Sequence, residues 1–523
     1  MNINNRNSLF LLICICLPFL FIPKVLQLNF VGGPIGSELI VYPIIMSYGY
    51  TLYCQHKFKN VLVDIPAMKK FICVYLFTLF LSLIWGLWHY PYYDLIMQGP
   101  ADQIGKLPAI VVFFRHYGLE LNKQTAILVW MAARFIKGIF LDAIYTFGFS
   151  YMVYCWFKRD PQKAVQILQK SIHIIMPIIF TYSFVEIFYL LGYDLAKHIL
   201  MEINPFLHAI GKNFDWWPPL LWVGRVRSIF PEPSQFAMYG NFVLPFLWMD
   251  ILNGNRVKYN LGTMLLLAVL MYLSSSKTAI GLLIGEFFLL FLYVAVKHKR
   301  ELFKKCMVIL ATLLLAFGLS TLIINNYNSK SFILDFNEKV EVNHDDNITD
   351  SMKIYVKDNF IGITDGNSGS NSTRFAIIKS DMRIGLDHWL LGVGLNLKSA
   401  YTYDYLTNSE KRNSEIELWK KTQDKYGVLK SGYPSVCEFS RRFAETGVAG
   451  LLIYSFPVFT LLWLGWRNRK NYSVNIITTN MVICSLIALI GSFAAALSGL
   501  LTTIHTYWLL LGICFALIRS YES

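Results

Sequence analysis

The chain reads as an all-α polytopic membrane protein with about twelve transmembrane helices and one large, partly helical outer loop. Three observations lead there. Of 523 residues, 55% are hydrophobic and only 15% charged, a balance foreign to soluble domains. The apolar residues gather in long runs, suited to a hydrocarbon core that takes roughly 20 residues of helix to cross. Lys and Arg cluster in alternate connections between those runs, the asymmetry of a chain threaded back and forth through a bilayer.

The runs occupy residues 8–22, 35–54, 71–88, 135–157, 172–191, 235–252, 261–273, 279–296, 306–324, 448–466, 476–497 and 500–518. No small-residue cleavage site follows Phe21, Ile22, Pro23 and Lys24, so the first run is expected to be an uncleaved anchor. The basic connections carry Lys57, Lys59, Lys69 and Lys70; Lys158, Arg159, Lys163 and Lys170; Arg256 and Lys258; Lys297, Lys299, Arg300, Lys304 and Lys305; and Arg467, Arg469 and Lys470. Retention of such clusters on the cytoplasmic side puts both termini there. The net charge of +14 then faces anionic membrane lipids and calls for no nucleic acid.

Domain organisation follows from the same count. Residues 1–324 hold nine helices with outer segments 89–134 and 192–234, residues 325–447 form the large outer loop, and residues 448–523 hold three helices and a tail. The first half of the loop, with His344, Asp345, Asp346 and the stretch 364–372, is polar and rich in Gly, Ser and Asn, which predicts a mobile segment. The second half predicts a helix over 373–384 capped by Ser372 and stopped at Gly385, then another from Pro434 through Glu445 into the tenth run. Eight cysteines lie within or beside predicted helices and Cys437 stands alone in the loop, so no disulfide framework is expected.

Several polar residues at the outer rim need a reason. Arg225 and Arg227 either hold a phosphate-rich headgroup, because a guanidinium fork binds phosphate oxygens bidentately at any working pH, or simply sit at the headgroup boundary. Glu232 is a candidate general base or sugar ligand; equally, it complements the start of a Pro-initiated helix. The turn from Ser274 to Thr278 follows a short apolar run, so Lys277 is either part of a diphosphate pocket below the surface or a lysine reaching up to water. Arg374 opens the loop helix and is either presented to the membrane or solvated. Glu445 either pairs with Arg441, four residues away, or faces a cavity. Trp216, Trp217, Pro218 and Pro219 read as an interfacial belt, and His505 as a satisfied core histidine. No metal-ligand spacing and no nucleotide motif occurs, so neither metal nor cofactor is expected.

Together these residues resemble the O-antigen polymerase (Wzy-type) family, which shares a superfamily with the O-antigen ligases. The resemblance rests on R-x-R-S-x-F-x-E-P-S-x-F from Arg225 to Phe236, S-S-K-T-A from Ser275 to Ala279, L-G-V-G-L-N from Leu391 to Asn396, and E-T-G-V-A-G from Glu445 to Gly450. Arg374 and Gly385 are similar to an R-x10-G pattern of such polymerases. Ligases carry a His-Asn pair before the E-x-G motif, where this chain has Tyr433, Pro434, Ser435, Val436, Cys437 and Glu438, which turns the expectation from ligase to polymerase.

The resemblance implies a metal-independent, inverting glycosyltransferase of GT-C-like helical architecture in the bacterial inner membrane. It would join oligosaccharide repeat units on undecaprenyl diphosphate at the periplasmic face, with a chain-length regulator and a flippase as further candidate partners. Arg225, Arg227, Arg374 and Lys277 would hold the diphosphate, and Glu232 or Glu445 would orient or deprotonate the acceptor hydroxyl. A ligase acting on lipid A core or protein, and a flippase of lipid-linked oligosaccharides, are the alternative functions.

Overall fold

The computed structural model describes residues 3–23, 27, 38–57, 66–208, 224–329, 369–472 and 475–520. The tryptophan pair 216–217, the prolines 218–219 and the acidic stretch 344–346 lie outside the described residues.

The described chain is helical throughout, with no strand. In order come α1 (Ile3–Cys16), α2 (Val41–Lys57), α3 (Pro66–Trp88), α4 (Tyr93–Gln98), α5 (Leu107–His116), α6 (Lys123–Ala143), α7 (Phe149–Phe157), α8 (Pro161–Leu190) and α9 (Asp194–Leu207). They continue with α10 (Pro233–Asn253), α11 (Val257–Leu273), α12 (Lys277–Lys297), α13 (Arg300–Ser329), α14 (Gly369–Asp387), α15 (Ser414–Tyr426), α16 (Glu438–Arg467), α17 (Ile476–Ala494) and α18 (His505–Arg519). Six helical stretches among the described residues are long and apolar enough to cross a membrane: Pro66–Trp88, Pro161–Leu190, Lys277–Lys297, Arg300–Ile324, Glu438–Arg467 and Ile476–Leu497. Val257–Leu273 and His505–Arg519 are shorter apolar helices. This is an all-α polytopic membrane protein.

Backbone chemistry sets the helix ends. Asp160 accepts from the Lys163 amide to start α8, whose second residue-type signal is Pro161 at its first position. Asn475 does the same for α17 and Ser276 for α12. Gly254, at φ 82°, closes α10 in the left-handed region. Short turns there and at residues 274–276 join α10, α11 and α12.

Three of the helix ends next to basic connections lie together. Lys305 Nζ donates to the Leu252 carbonyl at 2.8 Å, and Asn480 Nδ2 to Asn253 Oδ1 at 2.7 Å, tying the α12–α13, α10–α11 and α17 ends together. The opposite end carries the segment between α13 and α16 and is called the loop end below. The interior is centred on α10, α17 and α18. Nearly every residue of α10 is buried, and Trp248, Trp508 and Tyr507 are among the largest side chains fully removed from solvent. With lipid outside and no hydrophobic gain in helix pairing, close approach relies on small residues: Gly512 of α18 lies against the Ser150 carbonyl and Val153, and Ser150 Oγ donates to the Trp508 carbonyl at 2.7 Å.

Two sequence expectations shift. The loop helix runs Gly369–Asp387, starting before Ser372 and passing Gly385. Ser372 does not cap it: its Oγ accepts from Asn413 Nδ2 at 3.1 Å. Gly385 is a crossing point instead, for a Cβ there would lie 2.3 Å from the ring of Phe443 in α16. The helix expected from Pro434 begins at Glu438, because Cys437 is extended at φ −143°. His505 is hydrogen-bonded as expected, its Nε2 standing 2.6 Å from Glu38 Oε2.

Candidate functional site

At the loop end, the segment Gly224–Glu232 runs across the top of α8 and α11. Its backbone explains the motif. The amides of Arg227 and Ser228 both donate to the Glu186 carboxylate of α8, the shortest bond being 2.8 Å from Ser228. Ser228 sits at φ 53°, a conformation that costs a non-glycine residue on the order of 1–3 kcal/mol unless its surroundings hold it. Here a buried carboxylate with two convergent N–H donors holds it. The Val226 amide donates to the Leu273 carbonyl at 3.2 Å, joining this segment to the end of α11 and the Ser274–Lys277 turn.

The two arginines of the motif part company. Arg227 is 1% exposed, with Nε 3.9 Å from Glu186 Oε1 and a guanidinium nitrogen 3.4 Å from the Pro231 carbonyl. Arg225 is exposed. Behind Arg227, Tyr182 donates to Asn204 Oδ1 at 2.6 Å and lies 3.4 Å from His208 Nε2. Burial, then the Arg227 guanidinium, pushes the His208 imidazole down to about 3, so it is neutral at physiological pH.

Glu232 stands at the N-cap of α10 in an extended conformation, partly exposed, and its own carboxylate accepts from Ser234 Oγ at 3.1 Å. Both sequence readings meet here: a carboxylate at a helix N-terminus that solvent still reaches. Lys277 is the first residue of α12, half-buried, and Asn241 Nδ2 donates to the Ala279 carbonyl at 2.9 Å, fixing that start against α10. Arg374 lies exposed on α14.

The E-x-G motif is a broken helix. Gly447, at φ 62° and ψ −168°, interrupts α16 and frees backbone groups at a depth where every one needs a partner. The L-G-V-G-L-N loop supplies them. The amides of Val393 and Gly394 donate to the carbonyls of Ala444 and Glu445, each at 2.9 Å, and the Val448 amide donates to the Trp389 carbonyl at 2.7 Å. Ser82 of α3 donates to the carbonyls of Leu391 and Glu445, closing the junction. The two motifs are thus one structural unit.

Above the break sits an ion cluster that the sequence reading missed apart from one pair. Arg441 Nε donates to Glu445 Oε2 at 3.1 Å. Arg442 binds Glu438 at 2.6 Å and Asp142 of α6 at 2.9 Å, lies over the Tyr454 ring at 4.4 Å, and Tyr75 donates to the other oxygen of Asp142. Nearby, Lys398 Nζ donates to Asp381 at 2.7 Å, with Ser440 Oγ on the second oxygen. Arg442, Glu438, Glu445, Asp381 and Lys398 are all nearly solvent-free. Each cation therefore already faces a carboxylate, and the arrangement suits a rigid anchor rather than an anion site.

Both clusters share one end of the bundle. The Glu438 amide donates to the Gly499 carbonyl at 3.1 Å, and Gly499 lies against Met238 in the second turn of α10, just past Glu232. Of the six site residues expected, Arg225, Lys277, Arg374 and Glu232 keep solvent access, whereas Arg227 and Glu445 are buried in ion pairs. Glu186 and Asp142 were overlooked, though each is a carboxylate inside a mainly apolar run, the signal by which such residues declare themselves.

No curated protein matches the chain by sequence. Residues 262–424, which run from α11 through α15 and include Lys277 and Arg374, match the family model described as O-antigen ligase. That match over part of the chain supports the resemblance to the O-antigen polymerase/ligase family.

Proposed function

We propose that this protein polymerises undecaprenyl-diphosphate-linked oligosaccharide repeat units into O-antigen or a related surface polysaccharide at the periplasmic face of the inner membrane, with both termini cytoplasmic. The observation that carries the reading is the bond from Val226 to Leu273. It brings the R-x-R string and the S-S-K-T turn together at the end of the bundle where Glu232 opens α10.

The reaction is a metal-independent displacement with inversion. The hydroxyl oxygen of one lipid-linked unit attacks the anomeric carbon of the growing chain, the bond from that carbon to the diphosphate oxygen breaks, and the diphosphate departs with the electron pair. The hydroxyl proton passes to Glu232, the accessible carboxylate. Arg225, Lys277 and Arg374 balance the diphosphate charge, while Arg227 and Glu445, each held in a buried ion pair, position the segments that carry the site. An apolar groove of about 270 Å³ between α8, α11 and α13, lined by Phe184, Ile187 and Leu270, ends one residue from Glu186 and suits a polyprenyl tail. The second reading, a ligase delivering the finished glycan to lipid A core or protein, rests on the description of the matched family; residues 433–438 contain no histidine to serve it.

The test is complementation of a deletion strain with wild type, Arg225→Ala and Glu232→Gln, reading the surface-polysaccharide ladder with membrane levels checked. Single repeats on the lipid core, extended to a ladder only by wild type, support the polymerase and both residues. Complete loss of capped core assigns a ligase or flippase. Full ladders from both variants overturn the site.

A further inference from the structure

A second polar cavity lies at the other end of the molecule. It has a volume of about 700 Å³ and opens between α8 and the α10–α11 junction. His173, on its wall, is 13 residues from Glu186 along α8, or ~20 Å of helix, so the cavity is remote from the site above.

Its walls divide by chemistry. The mouth carries Lys170 and Arg256, both exposed cations. The floor carries acceptors: Asp250, which receives Gln169 Nε2 at 2.8 Å and Asn255 Nδ2 at 3.4 Å, and Asn260. Asn260 is fully buried; its Nδ2 donates to the Asn255 carbonyl at 2.9 Å, but its Oδ1 has no hydrogen-bond partner. Beside the mouth, Ile174 and Ile178 continue the Lys170 stripe at four-residue intervals along α8, 40% and 44% exposed.

We propose that this cavity binds a phosphate ester whose headgroup also carries an N–H donor, the chemistry of phosphoethanolamine. Lys170 and Arg256 hold the phosphate, the ammonium reaches the Asp250 carboxylate, and the acyl chains of a phospholipid follow Ile174 and Ile178. Basic cavities between helices at the basic end of a bundle are suited to such headgroups. The two cations at the mouth and the single carboxylate of the floor leave a positive balance for the phosphate, while the acceptors reject a headgroup that brings no donor.

Native mass spectrometry and melting of the full chain in detergent test this with three probes: phosphatidylethanolamine, phosphatidylcholine and soluble O-phosphoethanolamine. Phosphatidylethanolamine is expected to bind and raise the melting temperature, and phosphatidylcholine, which has no N–H, to bind at least ~10-fold more weakly. The Lys170→Ala/Arg256→Ala double variant, altered only at exposed positions, should melt normally without lipid yet lose at least ~10-fold in affinity. Binding of soluble O-phosphoethanolamine as tight as that of the lipid, with the same sensitivity to the double variant, upholds the chemistry and assigns a soluble ester as its source. Equal binding of phosphatidylcholine, or unchanged binding by the double variant, overturns the proposal.

Discussion

The two arginine-bearing segments at the loop end treat charge in opposite ways. In residues 224–232 one arginine is drawn inside onto Glu186 while its neighbour two positions earlier is exposed, and Glu232 is part-exposed. In Glu438–Glu445 both arginines are enclosed among Glu438, Glu445 and Asp142. The first segment divides its charges between the interior and the surface; the second commits them all to the interior. A charged motif residue therefore cannot be given a role until its burial is known. An exposed guanidinium can exchange water for phosphate, whereas a buried one exchanges a carboxylate for nothing.

The comparison is broken most forcefully at Arg442. Arg442→Ala should strand Glu438 and Asp142 in the interior at a cost of about 3–5 kcal/mol, removing folded protein from the membrane in a detergent melting assay. A variant that melts like wild type would mean the cluster is not an anchor. Arg227→Ala and Arg225→Ala sharpen the contrast within one motif. The former should lower the melting temperature by freeing Glu186, and the latter should leave melting unchanged while cutting polymerisation roughly 10- to 100-fold, the worth of one charge-assisted phosphate contact. Swapped outcomes would reverse their roles.

A smaller effect is expected where α14 crosses α16. Gly385→Ala should cost about 1–3 kcal/mol through overpacking against Phe443, and Phe443→Leu in the same chain should restore part of it. Failure of the second change to rescue the first would place the strain elsewhere.

One further effect is silent at neutral pH and emerges only on acidification. The His208 imidazole, held near 3 when folded against an ordinary value of 6.5, binds its proton more weakly in the folded chain than in the unfolded one. Stability is then full above pH 6.5 and falls as pH drops towards 3, by up to about 1.4 kcal/mol per pH unit from this group. His208→Asn should flatten melting over that window, and an unchanged slope would assign the acid sensitivity to other groups.

Helical class was legible in residue order alone, because lipid admits few spanning structures. The four motifs that carry the family resemblance were legible as strings. Pairings were not. Glu186 reaches Arg227 across 41 positions and Asp142 reaches Arg442 across 300, and no local pattern encodes a contact made by folding. Gly385 reads as a helix stop in the chain and acts as a crossing point in the fold, since only the neighbouring ring of Phe443 decides which property of glycine is used. The residue order by itself determined the class, the end on which the charges gather and the motifs. Tertiary structure decided which charged groups are buried against a partner and which are exposed, because burial is a property of neighbours that the sequence brings together only by folding.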